Sequence, residues 1–138
     1  MREDLAEWER LPVDEQERVV GRRKADSAPL DIGGGEGAPL DSHKEKSSVT
    51  MADGTEVEML RRSFPYADER EAGLLFVCFV RDPAQYEAVK NQMVSPATNG
   101  RHVGKDAIER FYTAVAGGYY FVPPLSDRDG YIGDFFFA

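Results

Sequence analysis

The 138-residue sequence has little cysteine and histidine, the residues that form disulfides and most zinc sites in small proteins. It has one cysteine, Cys78, which excludes a disulfide within the chain and a multi-cysteine metal site. Cys78 lies in the apolar run LLFVCFV and is expected to be a small buried hydrophobic residue. The two histidines, His43 and His102, are too far apart to form a standard zinc motif.

Positive charge and long apolar runs are also scarce. Lys and Arg number 17 against 25 Asp and Glu, and the net charge of -8 disfavours nucleic acid as a partner. No window approaches the roughly 18 apolar residues of a membrane-spanning helix. The N-terminal stretch MREDLAEWERL lacks the apolar core of a secretory signal. The chain is therefore expected to be soluble, without a membrane partner, and cytoplasmic as it stands; export of a longer parent stays open.

The apolar residues that are present are enough for one packed domain. They make up 41% of the chain and include eight Phe and six Tyr. Periodicity predicts helices and strands that are mixed without strict alternation, which indicates an α+β fold with an antiparallel sheet and helices on one face, of the ferredoxin-like type. The predicted helices are 3–10, 13–20, 82–94 and 105–115, and the predicted strands are 55–62, 74–80 (a central strand buried on both faces) and 119–124.

Capping residues set the expected ends of these helices. Asp14 is placed to begin the second helix and Gly21 to end it. Asp82 followed by Pro83 is typical of a helix start. Residues 21–42 are rich in Gly, Pro, Asp and Ser and are expected to be a long loop, a feature that usually carries function or disorder.

Motif spacing alone does not identify a reaction. The GGGEG run at 33–37 lacks a preceding strand and a following GK[ST], so a phosphate-binding loop is disfavoured. A Ser–His–Asp site stays open, but no nucleophile-elbow motif supports it. The residues by themselves predict only a soluble α+β domain in which one of the two histidines, His43, is of interest.

Several segments, in order, resemble the C-terminal half of the dye-decolourising (DyP-type) haem peroxidases. The resemblance covers nearly the whole chain, and its most specific part is LRRSFPY followed by GLLFVCFVRDP. It implies that residues 1–138 form one domain of the dimeric α+β barrel type, with the haem ligand on the long loop 21–54. The other matching segments are EWERLPVDEQERVVGRRK, DSH, GGYYFVPP and DGYIGDFFFA.

The resemblance also implies roles for individual residues. His43 matches the proximal histidine that ligates haem iron. Arg61 matches the distal arginine, whose guanidinium stabilises charge while the peroxide O–O bond is cleaved. Glu71 stands where relatives often carry an Asp that accepts a hydrogen bond from the proximal imidazole.

Further residues are implied as haem contacts. Leu74 and Phe76 are candidates for the pocket wall, and Arg22 is a candidate for binding an anionic group such as a haem propionate. The sequence departs from the family at Glu45, where an Arg would be expected. A carboxylate at this position would repel a haem propionate. Lys44 or Lys46 could compensate for it.

The implied function is that of a peroxidase containing haem b (iron protoporphyrin IX), which reduces hydrogen peroxide and oxidises a bulky organic or dye-like donor. Full members are about twice this length or more, and their N-terminal half carries a glycine-bracketed aspartate that acts as distal acid–base. Because no segment here matches it, the enzyme is expected to be incomplete without an N-terminal half protein, and an exposed apolar face invites that partner or a homodimer. The alternatives are a haem-binding module without turnover and a structural interaction subunit.

Overall fold

The structure is a computed structural model, and it describes residues 2–30, 37–98, 101–124 and 131–137. Its main sheet has four strands in the order β2-β3-β1-β6, each antiparallel to its neighbours. These strands are β1 (Arg2–Glu3), β2 (Leu60–Ala67), β3 (Ala72–Phe79) and β6 (Tyr112–Thr113). This order, with helices in both crossover connections, is the ferredoxin-like arrangement, so the predicted α+β fold class is confirmed.

Four α-helices connect the strands. They are α1 (Leu5–Glu9), α2 (Val13–Val20), α3 (His43–Lys46) and α4 (Pro83–Val94). A small hairpin follows, formed by β4 (Ala97–Thr98) and β5 (Arg101–His102). Two 3-10 helices complete the described chain, η1 (Ala107–Phe111) and η2 (Asp134–Phe137). Among the described residues, no helix is long and apolar enough to cross a membrane.

Two helix ends are as the sequence predicts and one is not. Helix α4 begins with a full capping box between Asp82 and Gln85, with Pro83 at its first position. Gly21 ends α2 in the left-handed conformation, at φ 84°. The predicted start at Asp14 is wrong, because α2 begins at Val13 after Pro12, which has no side chain that can cap it.

The predicted strand 55–62 begins too early. Residues 49–57 instead form a tight turn of their own, in which the N–H of Met51 donates to the carbonyl of Thr55 at 2.8 Å. Strand β2 starts at Leu60 and continues through Pro65. Proline is tolerated there because β2 lies at the edge of the sheet, where one side of the strand has no neighbouring strand to bond.

The last predicted helix and strand are also corrected. Residues 105–115 form the short η1 followed by β6, and not one continuous helix. Residues 119–124 form no strand, and the fourth strand of the main sheet is β6 instead. Helix 105–115 was expected from its apolar spacing, but Phe111 is the residue of that stretch that reaches the core, at 5% exposed.

The core lies where α1, α2 and η1 meet. Val19 and Phe111 are buried, and the ring of Trp8 meets that of Phe111 edge to face with centroids 5.0 Å apart. The sheet is less completely covered. Leu75 and Phe79 keep 59% and 47% of their surface exposed, so β3 is an inner strand but is not buried on both faces as predicted.

Candidate functional site

A histidine–aspartate pair is the clearest polar arrangement in the structure. His43 is the first residue of α3, and its Nδ1 lies 2.8 Å from Oδ2 of Asp106. The Asp106 side chain is fully buried, while the imidazole keeps 36% of its surface exposed. Because a carboxylate only accepts hydrogen bonds, Nδ1–H is the donor. Within the described residues, Nε2 has no hydrogen-bond partner, so its lone pair is free to bind a metal.

Backbone hydrogen bonds hold the aspartate in place. Asp106 caps η1, where its Oδ1 accepts from the N–H of Ile108 at 3.1 Å. Its own N–H donates to the carbonyl of Met93 at the end of α4, at 2.9 Å. The N–H of Ala107 donates to the carbonyl of Asp41, at 2.8 Å, which ties the segment to the residues just before His43. The carboxylate is therefore fixed independently of the imidazole it binds.

The N-terminal end of α3 packs closely against the end of α2. Ser42, which precedes His43, is completely buried, and within the described chain its hydroxyl has no hydrogen-bond partner. A Cβ added to Gly21 would lie 2.6 Å from the Ser42 Oγ and 2.9 Å from Cβ of Lys44. Glycine at position 21 therefore permits the approach that places α3.

Arg61 lies on β2 and reaches the other end of α3. Its Nη2 donates to the carbonyl of Ser47 at 3.4 Å. In the register of the hairpin, Arg61 pairs with Cys78 and Pro65 pairs with Leu74. Directly paired residues and every second residue share a face of a sheet, so Arg61, Leu74 and Phe76 lie on one face. The structure thus brings three predicted site residues together, with Arg61 next to the helix of His43.

The environment of Cys78 argues against a reactive thiol. Burial raises the pKa of Cys78, and the nearby positive charge of Arg61 offsets part of that effect. A raised pKa leaves little thiolate near neutral pH, and the thiolate is the nucleophilic form. The sequence analysis expected Cys78 to be buried, and the structure shows it half-buried instead.

Glu71 is not placed where the sequence analysis expected it. It is exposed at the turn of the β2–β3 hairpin, where its carboxylate accepts from the hydroxyl of Tyr66 at 3.3 Å. That turn is at the opposite end of the hairpin from the Arg61–Cys78 pair, too far along the strands to reach α3. The predicted contact between Glu71 and His43 is therefore wrong, and the carboxylate beside the imidazole is Asp106.

Sequence reasoning missed Asp106 because 63 residues separate it from His43. Its one local signal is its position as an N-cap just before η1, and that signal indicates a helix start rather than a site. No spacing rule connects a capping aspartate to a histidine in a distant loop.

The remaining predicted residues have local partners. Arg22 is exposed, and its guanidinium donates to the carbonyl of Ser27 at 2.9 Å, so its contact with a cofactor stays a prediction. Glu45 forms an ion pair with Lys44, which is one of the two predicted compensations for its charge. His102 is exposed on β5. Among the described residues, no group of three His, Cys, Asp or Glu side chains could hold a metal ion.

Comparison with known proteins identifies the family. The family model described as Dyp-type peroxidase, C-terminal, matches residues 1–127. The chain belongs to the Dyp-type peroxidase family. It is 36% identical over 130 residues to a dye-decolorizing peroxidase of Mycobacterium tuberculosis, covering 91% of this chain and 36% of that protein. It is 29% identical over 145 residues to a deferrochelatase of Escherichia coli O157:H7, covering 91% of this chain and 32% of that protein.

Solved structures of DyP-type peroxidases have the same fold. The encapsulated DyP-type peroxidase of Mycobacterium smegmatis matches with a TM-score of 0.70 and 32% identity, over 85% of this chain and 37% of that one. A haem complex of a DypB variant from Rhodococcus jostii matches with a TM-score of 0.68 and 28% identity, over 80% and 34%. The chain spans about a third of the length of the relatives it matches.

Proposed function

We propose that this chain is the haem-binding C-terminal portion of a DyP-type peroxidase, which reduces hydrogen peroxide and oxidises a bulky organic or dye-like donor. The observation that carries the proposal is the His43–Asp106 pair, in which a buried carboxylate orients a half-exposed imidazole. Membership of the family and the haem complexes of its DypB relatives support haem b as the cofactor.

The residues present fit a haem. An imidazole whose Nδ1–H is bound to a carboxylate presents Nε2 as a ligand, and the carboxylate fixes the tautomer and the orientation of the ring. His43 would hold the haem iron through Nε2, and one protein ligand is enough because a porphyrin brings its own four nitrogens. When bound, the haem supplies the iron at which peroxide is reduced.

Arg61 has the properties that O–O cleavage requires. Its guanidinium stays protonated at any working pH, and a fixed positive charge stabilises negative charge as it develops on the departing oxygen. The Ser47 carbonyl holds it near α3. In this proposal Leu74 and Phe76, on the same face of the hairpin, form part of the wall, and Arg22 binds a propionate.

The peroxide proton needs an acid–base group that we assign to the polypeptide beyond this chain. This chain spans about a third of the relatives' length, so the remainder is large enough to cover the exposed apolar face of the β2–β3 hairpin and also to supply the acid–base group on the opposite face, where Arg61 lies. We therefore propose that the active enzyme includes that remainder, as an N-terminal half protein or part of the same polypeptide. A homodimer through the exposed apolar face is the competing arrangement.

The same features support a second function, a haem-binding module without peroxide turnover. This chain alone spans 36% of a peroxidase relative, and the part that would supply the distal acid lies outside it. In this case His43 would bind haem and Arg61 would have no catalytic effect. Turnover measurements separate the two functions.

The test combines hemin binding and peroxide turnover in paired variants. Titration of the purified chain with hemin should sharpen the Soret band, and His43→Ala should abolish the change, whereas His102→Ala should not. With the N-terminal half protein present, Arg61→Ala should lower peroxide turnover by about 10²- to 10³-fold, as expected for loss of one donor to developing charge. Arg70→Ala is the matched control, because Arg70 is an exposed arginine in the turn of the hairpin, at the opposite end from Arg61.

Each outcome decides between the candidates. A His43-dependent Soret band with turnover that depends on Arg61 supports the peroxidase. A His43-dependent band without turnover, even with the N-terminal half protein, supports the haem-binding module. A hemin spectrum that is the same in the wild type and His43→Ala excludes both and leaves a structural interaction subunit.

A further inference from the structure

Lys46 is a completely buried lysine, three residues after His43 in α3. Its Nζ donates to the carbonyl of Ser95 at 2.8 Å, with those of Ala97 and Gln92 at 3.4 and 3.5 Å. Burying an ammonium group is costly unless its hydrogen bonds are satisfied. Here the acceptors are carbonyls around the C-terminal end of α4, which also carries the negative end of the helix dipole.

Gln92, in the last turn of α4, makes the reverse connection. Its Nε2 donates to the carbonyls of Glu45, Lys46 and Ser48, at 3.2, 3.1 and 2.8 Å. These carbonyls lie at the C-terminal end of α3, where helices leave backbone acceptors unpaired. Each helix thus supplies a side chain that binds the C-terminal carbonyls of the other. We call this pair of contacts, through Lys46 and Gln92, the reciprocal clasp.

The clasp matters because α3 cannot hold its own shape. It has four residues, and a single helical turn is unstable in water without outside contacts. The same end of α4 also fixes the aspartate, through the bond from the Asp106 N–H to the Met93 carbonyl. Both members of the His43–Asp106 pair are therefore tied to one helix end.

We propose that Lys46 and Gln92 are positioning residues that hold the His43 imidazole at the distance and orientation at which it donates to Asp106. The effect of these residues on cofactor binding rests on the proposed function. Their effect on the His43–Asp106 hydrogen bond does not depend on it. Without the clasp, α3 frays and the imidazole rotates away from the fixed carboxylate. Neither side chain contacts the cofactor in this scheme.

The first test uses the haem-free chain and NMR of the His43 ring. The Nδ1–H bound to Asp106 should give a slowly exchanging resonance in the wild type. Lys46→Met, which keeps an unbranched side chain one atom shorter and removes the donors, should speed its exchange at least tenfold or abolish it. Lys46→Arg, which keeps the charge and the donors, should restore the resonance.

A matched control separates positioning from loss of stability. Val89 is a buried residue of α4, at 3% exposed, and is not part of the clasp. Val89→Ala should lower stability and leave the resonance in place. Gln92→Leu tests the other half of the clasp and serves in place of Lys46→Met if that variant does not fold. If the clasp variants keep the slow Nδ1–H, or Val89→Ala loses it equally, the proposal is overturned.

The second test measures hemin binding. Loss of residues that orient a metal ligand typically weakens metal binding roughly 10- to 100-fold. Lys46→Met and Gln92→Leu should show such a loss, while Lys46→Arg and Val89→Ala stay near wild type. Wild-type affinity in the clasp variants overturns the role in cofactor binding and leaves the proposed function intact. If the wild type itself binds no hemin through His43, the proposed function fails, and the NMR result alone decides whether the clasp positions the pair.

Discussion

Gly21 shows how one residue far from the imidazole in sequence shapes the candidate site. It ends α2 at φ 84°, a conformation that residues with a Cβ adopt only with strain. It also lets α2 approach Ser42 and Lys44, so the first turn of α3 rests on the end of α2. The placement of His43 therefore requires that position 21 has no side chain.

Replacing Gly21 by alanine should destabilise the chain more than the same change at Gly54. Gly54 has φ 85° and no atom within 4 Å of an added Cβ, so Gly54→Ala measures backbone strain alone, at about 1–2 kcal/mol. Gly21→Ala adds overpacking against Ser42 and should cost about 1–3 kcal/mol more. Urea unfolding of both variants gives the difference. Equal losses would show that α3 moves aside without cost.

Tyr112 should make the stability of the fold sensitive to high pH. Burial, followed by the negative charges of Glu109 and Asp106, raises the pKa of Tyr112 from 10.0 to about 12. The folded state therefore favours the neutral phenol. The resulting stabilisation is complete below pH 10 and falls as the pH rises from about 10 to 12, because the unfolded chain loses this proton first.

Urea unfolding between pH 9 and 12 tests this titration. Tyr112→Phe should remove part of the decline in the free energy of unfolding and one late-titrating phenol from the absorbance curve. Tyr120→Phe is the control, because Tyr120 is 89% exposed and its loss removes a phenol without removing a buried one. A decline that is identical in the wild type and Tyr112→Phe would contradict the assignment.

The residues predicted for the site are brought together only in part. Resemblance named His43 and Arg61, and the structure places both at α3, although their chemical roles stay predictions. It named Glu71 as the carboxylate partner, and the structure places Asp106 there. A ligand in a matching segment can be found by comparing sequences, but a carboxylate delivered by the end of a distant helix depends on tertiary packing.

Helix α4 organises its surroundings through both of its ends. Its start is secured by the capping box of Asp82 and Gln85. Its end receives Lys46 from α3 and the N–H of Asp106 from η1. Both ends of α4 are therefore held by hydrogen bonds, and those at its C-terminal end connect the helix to the candidate site.

Removing the cap of α4 should cost more than removing the acidic residue predicted to cap α2. Asp82→Ala loses the acceptor for the N–H of Ala84, at 2.8 Å, and should cost about 0.5–2 kcal/mol. Asp14→Ala removes only a first-turn charge, worth about 0.3–1 kcal/mol. Thermal unfolding followed by circular dichroism provides both values. A larger loss of stability in Asp14→Ala than in Asp82→Ala would show that Asp14 caps α2 after all.

The sequence predicts which helices and strands exist better than it predicts the residues at which they begin and end. Strand β3 and helix α4 were predicted from the apolar run LLFVCFV and from Asp82–Pro83, which are local signals. Strand β6 was missed because two residues carry no periodicity, and it forms only by pairing with β1. The second half of β2 was missed because it contains Pro65, and proline is compatible with a strand only at the edge of a sheet. Whether a strand lies at an edge is known only once the sheet is assembled.

For the chain as a whole, one face of the β2–β3 hairpin is an exposed apolar surface. The register places Leu60 beside Phe79 and Phe64 beside Leu75, on the face opposite to Arg61. These four side chains are between 47% and 59% exposed. Because large adjacent apolar residues are seldom left in contact with water, we expect this patch to be an interaction surface.

Polar substitutions on this face should reduce association without reducing stability. Phe64→Ser with Leu75→Ser should shift the chain toward monomer, or weaken binding of the N-terminal half protein, as measured by sedimentation velocity. Stability should change by less than about 0.5 kcal/mol per site, because the side chains are exposed. Val115→Ser is the control, since Val115 is 65% exposed but lies outside the hairpin. The surface is not an interface if both sets of substitutions behave alike.

The position of β1 has a consequence for how the chain reaches this structure. The two residues of β1 lie in the middle of the main sheet, between β3 and β6, although they come first in the sequence. During synthesis the hairpin can form early, but the sheet cannot close until the segment carrying β6 has emerged from the ribosome. Because closure joins distant parts of the chain, we expect a late and comparatively slow folding step, with the two-residue strand unpaired until then.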